Sequence, residues 1–160
     1  RMVTVRVLCI GKLKEKYWKS ACEEYAKRLR PFCKFEIVEL PEYRLPNDPS
    51  DAEITNGLEA EGKKLLEIIG NAACIPLCIE GKTMTSPQLA QTMEKLMLDG
   101  TSEICFVIGS SFGLWDQVKK AGSVRLSMSP MTFPHQLARV MLCEQIYRSF
   151  QILNHGKYHK

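Results

Sequence analysis

Apolar and polar positions along the chain alternate between two periods. Val3 to Ile10 is dense in β-branched and apolar residues and closes at Gly11, which predicts a strand. From Lys14 to Arg30, Tyr17, Trp18, Ala21, Cys22, Tyr25 and Leu29 form an apolar stripe at helical spacing, and Pro31 stops the helix. Phe32 to Leu40 predicts a second strand. Pro41 to Asp51, with three prolines and Asn47, reads as a loop too polar to pack and long enough to be mobile. Ser50-x-x-Glu53 has the form of a capping box and opens a helix from about Asp51 to Ile69.

The second half repeats the alternation. Ala73 to Glu80 predicts a third strand, with Gly81 turning the chain. Ser86-Pro87 supplies an N-cap and a proline at the first helical position, for a helix to about Leu98 that ends at Gly100. Glu103 to Ile108 is almost wholly apolar, as expected of a central parallel strand covered on both faces. Gly109-Ser-Ser-Phe-Gly113, a short helix over Trp115 to Lys120, a strand over Val124 to Met128 and a long helix from Pro134 to about Leu153 complete the reading. Strands alternating with helices predict an α/β fold with a mainly parallel sheet. Ligands in such sheets bind outside the carboxyl ends of strands. Three of those ends are chemically marked: Leu77–Gly81, Ile108–Gly113 and Leu126–Phe133.

With 160 residues and no repeat, low-complexity tract or linker, one domain over residues 1–160 is the simplest reading. No apolar run reaches the roughly 18 residues of a membrane span. The N-terminus leads straight into an amphipathic strand, so no secretory leader is expected, and Met2 reads as the natural start behind Arg1. Seven cysteines without C-x-x-C spacing, most of them among Val, Ile and Leu, fit reduced cytoplasmic thiols acting as small hydrophobes better than metal ligands. Charge is divided: residues 1–34 carry ten Lys and Arg against three acids, residues 35–124 seven against fourteen, and residues 125–160 five against Glu144 alone. A solvated helix face would explain the first segment by itself. Two separated basic segments that converge would favour a polyanion such as RNA.

The stretch from Leu126 to Arg148 concentrates the candidate chemistry. All three histidines and two of the eight prolines lie between Ser127 and the C-terminus. The loop Ser127-Met-Ser-Pro-Met-Thr-Phe-Pro134 either wraps a small ligand with its backbone groups or fills the core beneath it with Met and Phe. Gly109-x-x-x-Gly113 lets backbone approach a ligand closely, or is a plain strand-to-helix turn; it has neither dinucleotide nor P-loop spacing. His135 and Arg139, at i and i+4, share a helix face, and the first can move a proton while the second can fork onto phosphate. No Ser-His-Asp order, H-E-x-x-H or carboxylate pair supports a hydrolase or metalloenzyme. The tail Gly156-Lys-Tyr-His-Lys160 combines aromatic and basic groups suited to single-stranded RNA, or is simply a frayed end.

Taken together, Ile10-Gly-Lys-Leu-Lys-Glu-Lys-Tyr-Trp18, Val107-Ile-Gly109, Leu126-Ser-Met-Ser129, Met131-Thr-Phe-Pro-His135, Glu144-Gln-Ile-Tyr-Arg148 and Tyr158-His159-Lys160 resemble the RlmH family, small SPOUT-class methyltransferases of large-subunit ribosomal RNA. The resemblance covers essentially the whole chain in order. It implies a C-terminal trefoil knot, formed by roughly residues 75–155, and a homodimer. It also implies S-adenosyl-L-methionine, without a metal, against Leu77, Gly109, Met128, Ser129, Pro130, Met131, Thr132 and Phe133. The implied reaction is methylation of N3 of a pseudouridine in a 23S rRNA hairpin loop on the assembled 70S ribosome, with His135, Arg139, Arg148, Tyr158 and His159 as candidates for RNA contact, proton handling or charge stabilisation and the general base unassigned. One departure stands out. The family's turn usually reads Ile-Gly-Gly, whereas here it is Ile108-Gly109-Ser110-Ser111, and a serine at a position needing positive φ would be strained. A catalytically silent RNA- or ribosome-binding protein on the same fold is the alternative that this departure raises.

Overall fold

The computed structural model describes residues 2–154. In chain order its elements are β1 (Thr4–Ile10), α1 (Lys16–Leu29), β2 (Lys34–Leu40), α2 (Asp51–Ile69), β3 (Ala73–Thr83), α3 (Ser86–Leu98), β4 (Glu103–Ile108), α4 (Asp116–Lys120), β5 (Leu126–Ser127) and α5 (His135–Leu153). The strands form one parallel sheet in the order β2-β1-β4-β3-β5.

Period-two alternation on the central strands sets the layers. Val5, Val7 and Cys9 of β1 lie on one face beside Ile104, Phe106 and Ile108 of β4, while Leu8, Ile10, Cys105 and Val107 turn to the other. The register pairs Val5 with Ile104 and Val7 with Phe106, so like faces meet across the ladder. The first face is covered by α1, α3 and α5 and the second by α2 and α4. Burial on both sides explains why β4 reads as an unbroken apolar run. On α5, Leu142, Ile146 and Phe150 follow the helical repeat into the core. Each such side chain stabilises the fold by roughly 1.5–3 kcal/mol.

Several local expectations are corrected. Gly81 does not turn the chain: β3 continues to Thr83, with an irregularity in its pairing to β5 between Leu77 and Lys82. A Cβ at Gly81 would lie 2.9 Å from the Arg125 carbonyl, so glycine there admits the returning backbone, and the Lys82 N–H donates to Arg125 O at 2.9 Å. β5 is correspondingly only two residues long. The N-cap of α3 is Thr85, one residue before the position expected, with Gln88 completing a reciprocal capping box. The Ser50–Glu53 box on α2 forms as expected. The segment expected to be too polar to pack is in fact seated on α2. The Tyr43 N–H donates to the buried Glu61 carboxylate at 2.8 Å, and the Tyr43 ring lies so close to Gly57 that a Cβ there would meet it at 3.0 Å. All seven cysteines are buried. Burial pushes the thiols of Cys9, Cys33 and Cys74 up to about 12.

Candidate functional site

The carboxyl ends of β3, β4 and β5 open into one cleft of ≈ 360 Å³. Leu77 on β3 and Gly109 after β4 meet Met128, Ser129, Met131, Thr132 and Phe133 from the loop after β5, and His135 at the start of α5 joins them. Pro130 is in the same loop but does not line the cleft. The three marked strand ends therefore converge. Each loop is held by its own chemistry. The Ser127 hydroxyl donates to Ser129 O at 3.2 Å, and the Met131 N–H donates to the Ser129 hydroxyl at 3.0 Å, bending the chain before α5. After β4, a Cβ on Gly109 would lie 2.3 Å from Gly113 O, so the turn closes only around a glycine.

Ser110 does not carry the strain that its substitution for glycine raised. Among the described residues only Asp48 is a non-glycine with positive φ; in this turn the left-handed residue is Gly113, at φ +93°. Ser110 is buried, its carbonyl accepts the Gly113 N–H at 2.9 Å and its hydroxyl accepts the Phe112 N–H at 3.3 Å. The side chain supports the turn from within.

The cleft has a polar edge that the sequence did not reveal. Lys119 of α4 reaches Glu80 of β3 at 2.8 Å. The hydrogen bond from Lys119 holds the Glu80 carboxyl below its ordinary range and raises the lysine in turn. Around the mouth stand the exposed side chains of Ile79, Phe112 and Met131.

A second, larger cleft of ≈ 710 Å³ adjoins the first and shares Ser110, Ser111 and His135 with it. Its far wall is the turn after β1, with Gly11, Lys12 and Lys14, together with Glu39, Glu42 and Arg139. Arg139 is buried, with Nη1 2.5 Å from Glu39 Oε2 and Nη2 donating to Gly11 O at 3.2 Å. The Leu13 N–H donates to the same Glu39 oxygen at 3.0 Å. Burial pushes the Glu39 carboxyl up, but Arg139 and the Leu13 N–H outweigh it and hold it below its ordinary value. His135 and Arg139 thus share a helix face, yet the guanidinium fork is occupied within the chain while His135 is exposed between the two clefts. Arg148 lies farther along α5, outside the lining of both, paired with Glu144 at 2.9 Å. Tyr158 and His159 fall outside the described residues.

Residues 3–159 match the family model described as predicted SPOUT methyltransferase. The chain is 46% identical over 160 residues to the ribosomal RNA large subunit methyltransferase H of Oenococcus oeni, covering 99% of this chain and 100% of that one. The fold is similar to a solved probable methyltransferase from Bordetella pertussis, with a TM-score of 0.59 at 13% identity, covering 92% of this chain and 95% of that one. It is similar also to the tRNA (m1G37) methyltransferase from Aquifex aeolicus, with a TM-score of 0.54 at 13% identity over 92% and 70% of the two chains. The chain belongs to the SPOUT methyltransferases and, within them, to the family of ribosomal RNA large subunit methyltransferase H.

Proposed function

We propose that the protein uses S-adenosyl-L-methionine to methylate N3 of a pseudouridine in a 23S rRNA hairpin loop, on the assembled 70S ribosome, as a cytoplasmic homodimer with the knotted C-terminal region of its family. The observation that carries this reading is the convergence of three strand-end loops on one cleft that opens, past His135, into a second cleft bordered by lysines. The full-length similarity to the Oenococcus oeni relative supports the RNA substrate. Among the described residues no helix is long and apolar enough to cross a membrane.

The first cleft fits such a cofactor by its chemistry. Leu77, Met128, Met131 and Phe133 offer apolar walls for an adenine ring, and the bent loops offer backbone donors and acceptors at its edges. Gly109 lets the turn close tightly against that space. The cofactor supplies a methyl group already activated on a sulfonium, so the protein's share is alignment, exclusion of water and management of the N3 proton. His135, which lines both clefts, is a described side chain able to exchange that proton through its imidazole. Arg139 acts from behind, fixing the start of α5 and hence the position of His135. Exposed Ile79, Phe112 and Met131 at the mouth support a second protomer closing it. The alternative, a silent binding protein, rested on a strained Ser110, and the unstrained turn removes that motive.

The test is incorporation of labelled methyl into undermethylated ribosomes and into free 23S rRNA, with product nucleosides resolved. Methylated pseudouridine on ribosomes and much less on free RNA is the expected outcome. Cofactor binding without transfer to any rRNA substrate would overturn the reading.

A further inference from the structure

We propose that the turn from Gly11 to Lys14 is a phosphate-binding element for the rRNA backbone, with Lys12 and Lys14 as its contacts. This rests on the reading above that the substrate is RNA. The geometry supplies the rest. The second cleft meets the first across Ser110, Ser111 and His135, so a base delivered to the first across that seam leaves its ribose and phosphates in or beside the second. The wall facing that space is the turn after β1.

Charge on that wall is arranged for an anion. Glu39 would oppose phosphate, but its carboxylate is engaged by Arg139 and by the Leu13 N–H. Glu42 remains as an acid at the rim. Lys12 and Lys14 are exposed, and neither pairs with a carboxylate among the described residues. A third cation, Lys19 on α1, stands near enough to Glu39 to lower its carboxyl. Lysines on a surface turn are ordinarily solvated charges without a role. Here the turn is fixed from three sides: the Gly11 N–H donates to Leu40 O at 2.7 Å, Arg139 to Gly11 O at 3.2 Å and the Leu13 N–H to Glu39 at 3.0 Å. Gly11 itself takes φ +97°, a conformation that favours glycine. A fixed turn carrying two cations at the edge of a cleft is preorganised for a polyanion, because little ordering remains to be done on binding.

The experiment compares the wild-type protein with the double variants Lys12→Ala/Lys14→Ala and Lys12→Arg/Lys14→Arg, using ribosomes as methyl acceptor over a range of salt. The alanine pair should raise KM for ribosomes by about tenfold or more, as expected for losing two charge-assisted contacts. The turnover number, melting temperature and cofactor affinity should stay at wild-type values. The slope of log(kcat/KM) against log salt should become shallower by roughly 0.7–0.9 per lysine removed. The arginine pair should restore both KM and slope. Unchanged KM and slope in an active alanine variant would overturn the proposal while leaving the methyltransferase reading standing. Lost cofactor affinity would overturn it too, by placing the turn in the other site. An inactive wild-type protein would instead bring down the reading on which the proposal rests.

Discussion

Glu39 on β2 and Arg139 on α5 are 100 residues apart in sequence and joined by a half-buried ion pair at the carboxyl end of the sheet. With the Arg139 hydrogen bond to Gly11 O, the pair fastens the N-terminal part of the last helix to β2 and to the turn after β1. Removing the cation leaves the carboxylate to the Leu13 N–H and solvent. Arg139→Ala should cost about 1–2 kcal/mol, between the values for exposed and fully buried pairs, because 38% of the Glu39 side chain remains in solvent. The pH dependence has a definite sign. A carboxyl depressed in the folded state contributes stability above its unfolded value and loses it as pH falls through its folded one. Thermal melts should therefore show the gap between wild type and Arg139→Ala closing below about pH 4.

Glu61 has the opposite sign. Burial, with Glu42 nearby, pushes its carboxyl up despite the hydrogen bond from the Tyr43 N–H. An acid raised in the folded state loses stability as pH climbs from its unfolded value through its folded one. Glu61→Gln keeps an oxygen for Tyr43 and removes the buried charge. It should melt higher than wild type at neutral pH, with the advantage gone below about pH 4.

Gly109 admits no side chain. The Cβ of Gly109→Ala would sit 2.3 Å from Gly113 O, and the turn must open to take it. Overpacking of this kind costs about 1–3 kcal/mol. Titration calorimetry should show S-adenosylmethionine bound at least about tenfold more weakly, since roughly 1.4 kcal/mol of misalignment suffices for that factor. Native-like helix content would distinguish a damaged site from a lost fold.

The C-terminal Tyr158 to Lys160 segment carries the aromatic and basic groups that the substrate reading assigns to RNA. Deleting it should lower methyl transfer to ribosomes by about tenfold or more, since one lost base-stacking contact is worth about 1–3 kcal/mol and about 1.4 kcal/mol suffices for that factor. Cofactor affinity should be unchanged. Equal loss of both would make the segment part of the fold.

The fold and the first cleft were largely legible because both rest on local signals. β4 is apolar throughout because it is covered on two faces, and Ser50 and Glu53 mark a helix start through side chains three residues apart. The three marked strand ends followed from the rule that parallel sheets bind ligands at their carboxyl edges. What stayed hidden depends on contacts distant in sequence. Lys119 meets Glu80 across α4 and β3, and nothing in either segment announces the other. The segment around Tyr43 looked too polar to pack because its anchor is a single carboxylate on the next helix. Arg139 resembled a free phosphate ligand for the same reason: its partner Glu39 belongs to a strand read as ordinary scaffold. Ser110 misled differently. The turn takes its left-handed residue at Gly113, and sequence spacing alone does not say which position in a five-residue turn bears that conformation.

The Arg139 hydrogen bond to Gly11 also imposes an order on biosynthesis. Its two ends are separated by 128 positions, so the turn that begins the second cleft is synthesised well before the helix that secures it. Contacts of such sequence separation slow folding, since the intervening chain must be ordered before they form. While the nascent chain emerges, β1 and β2 can pair, but the turn carrying Lys12 and Lys14 lacks its third anchor until α5 has been made. The basic wall of the second cleft is therefore completed only once α5 has been synthesised, and a product truncated before α5 would carry the lysines without the Arg139 anchor.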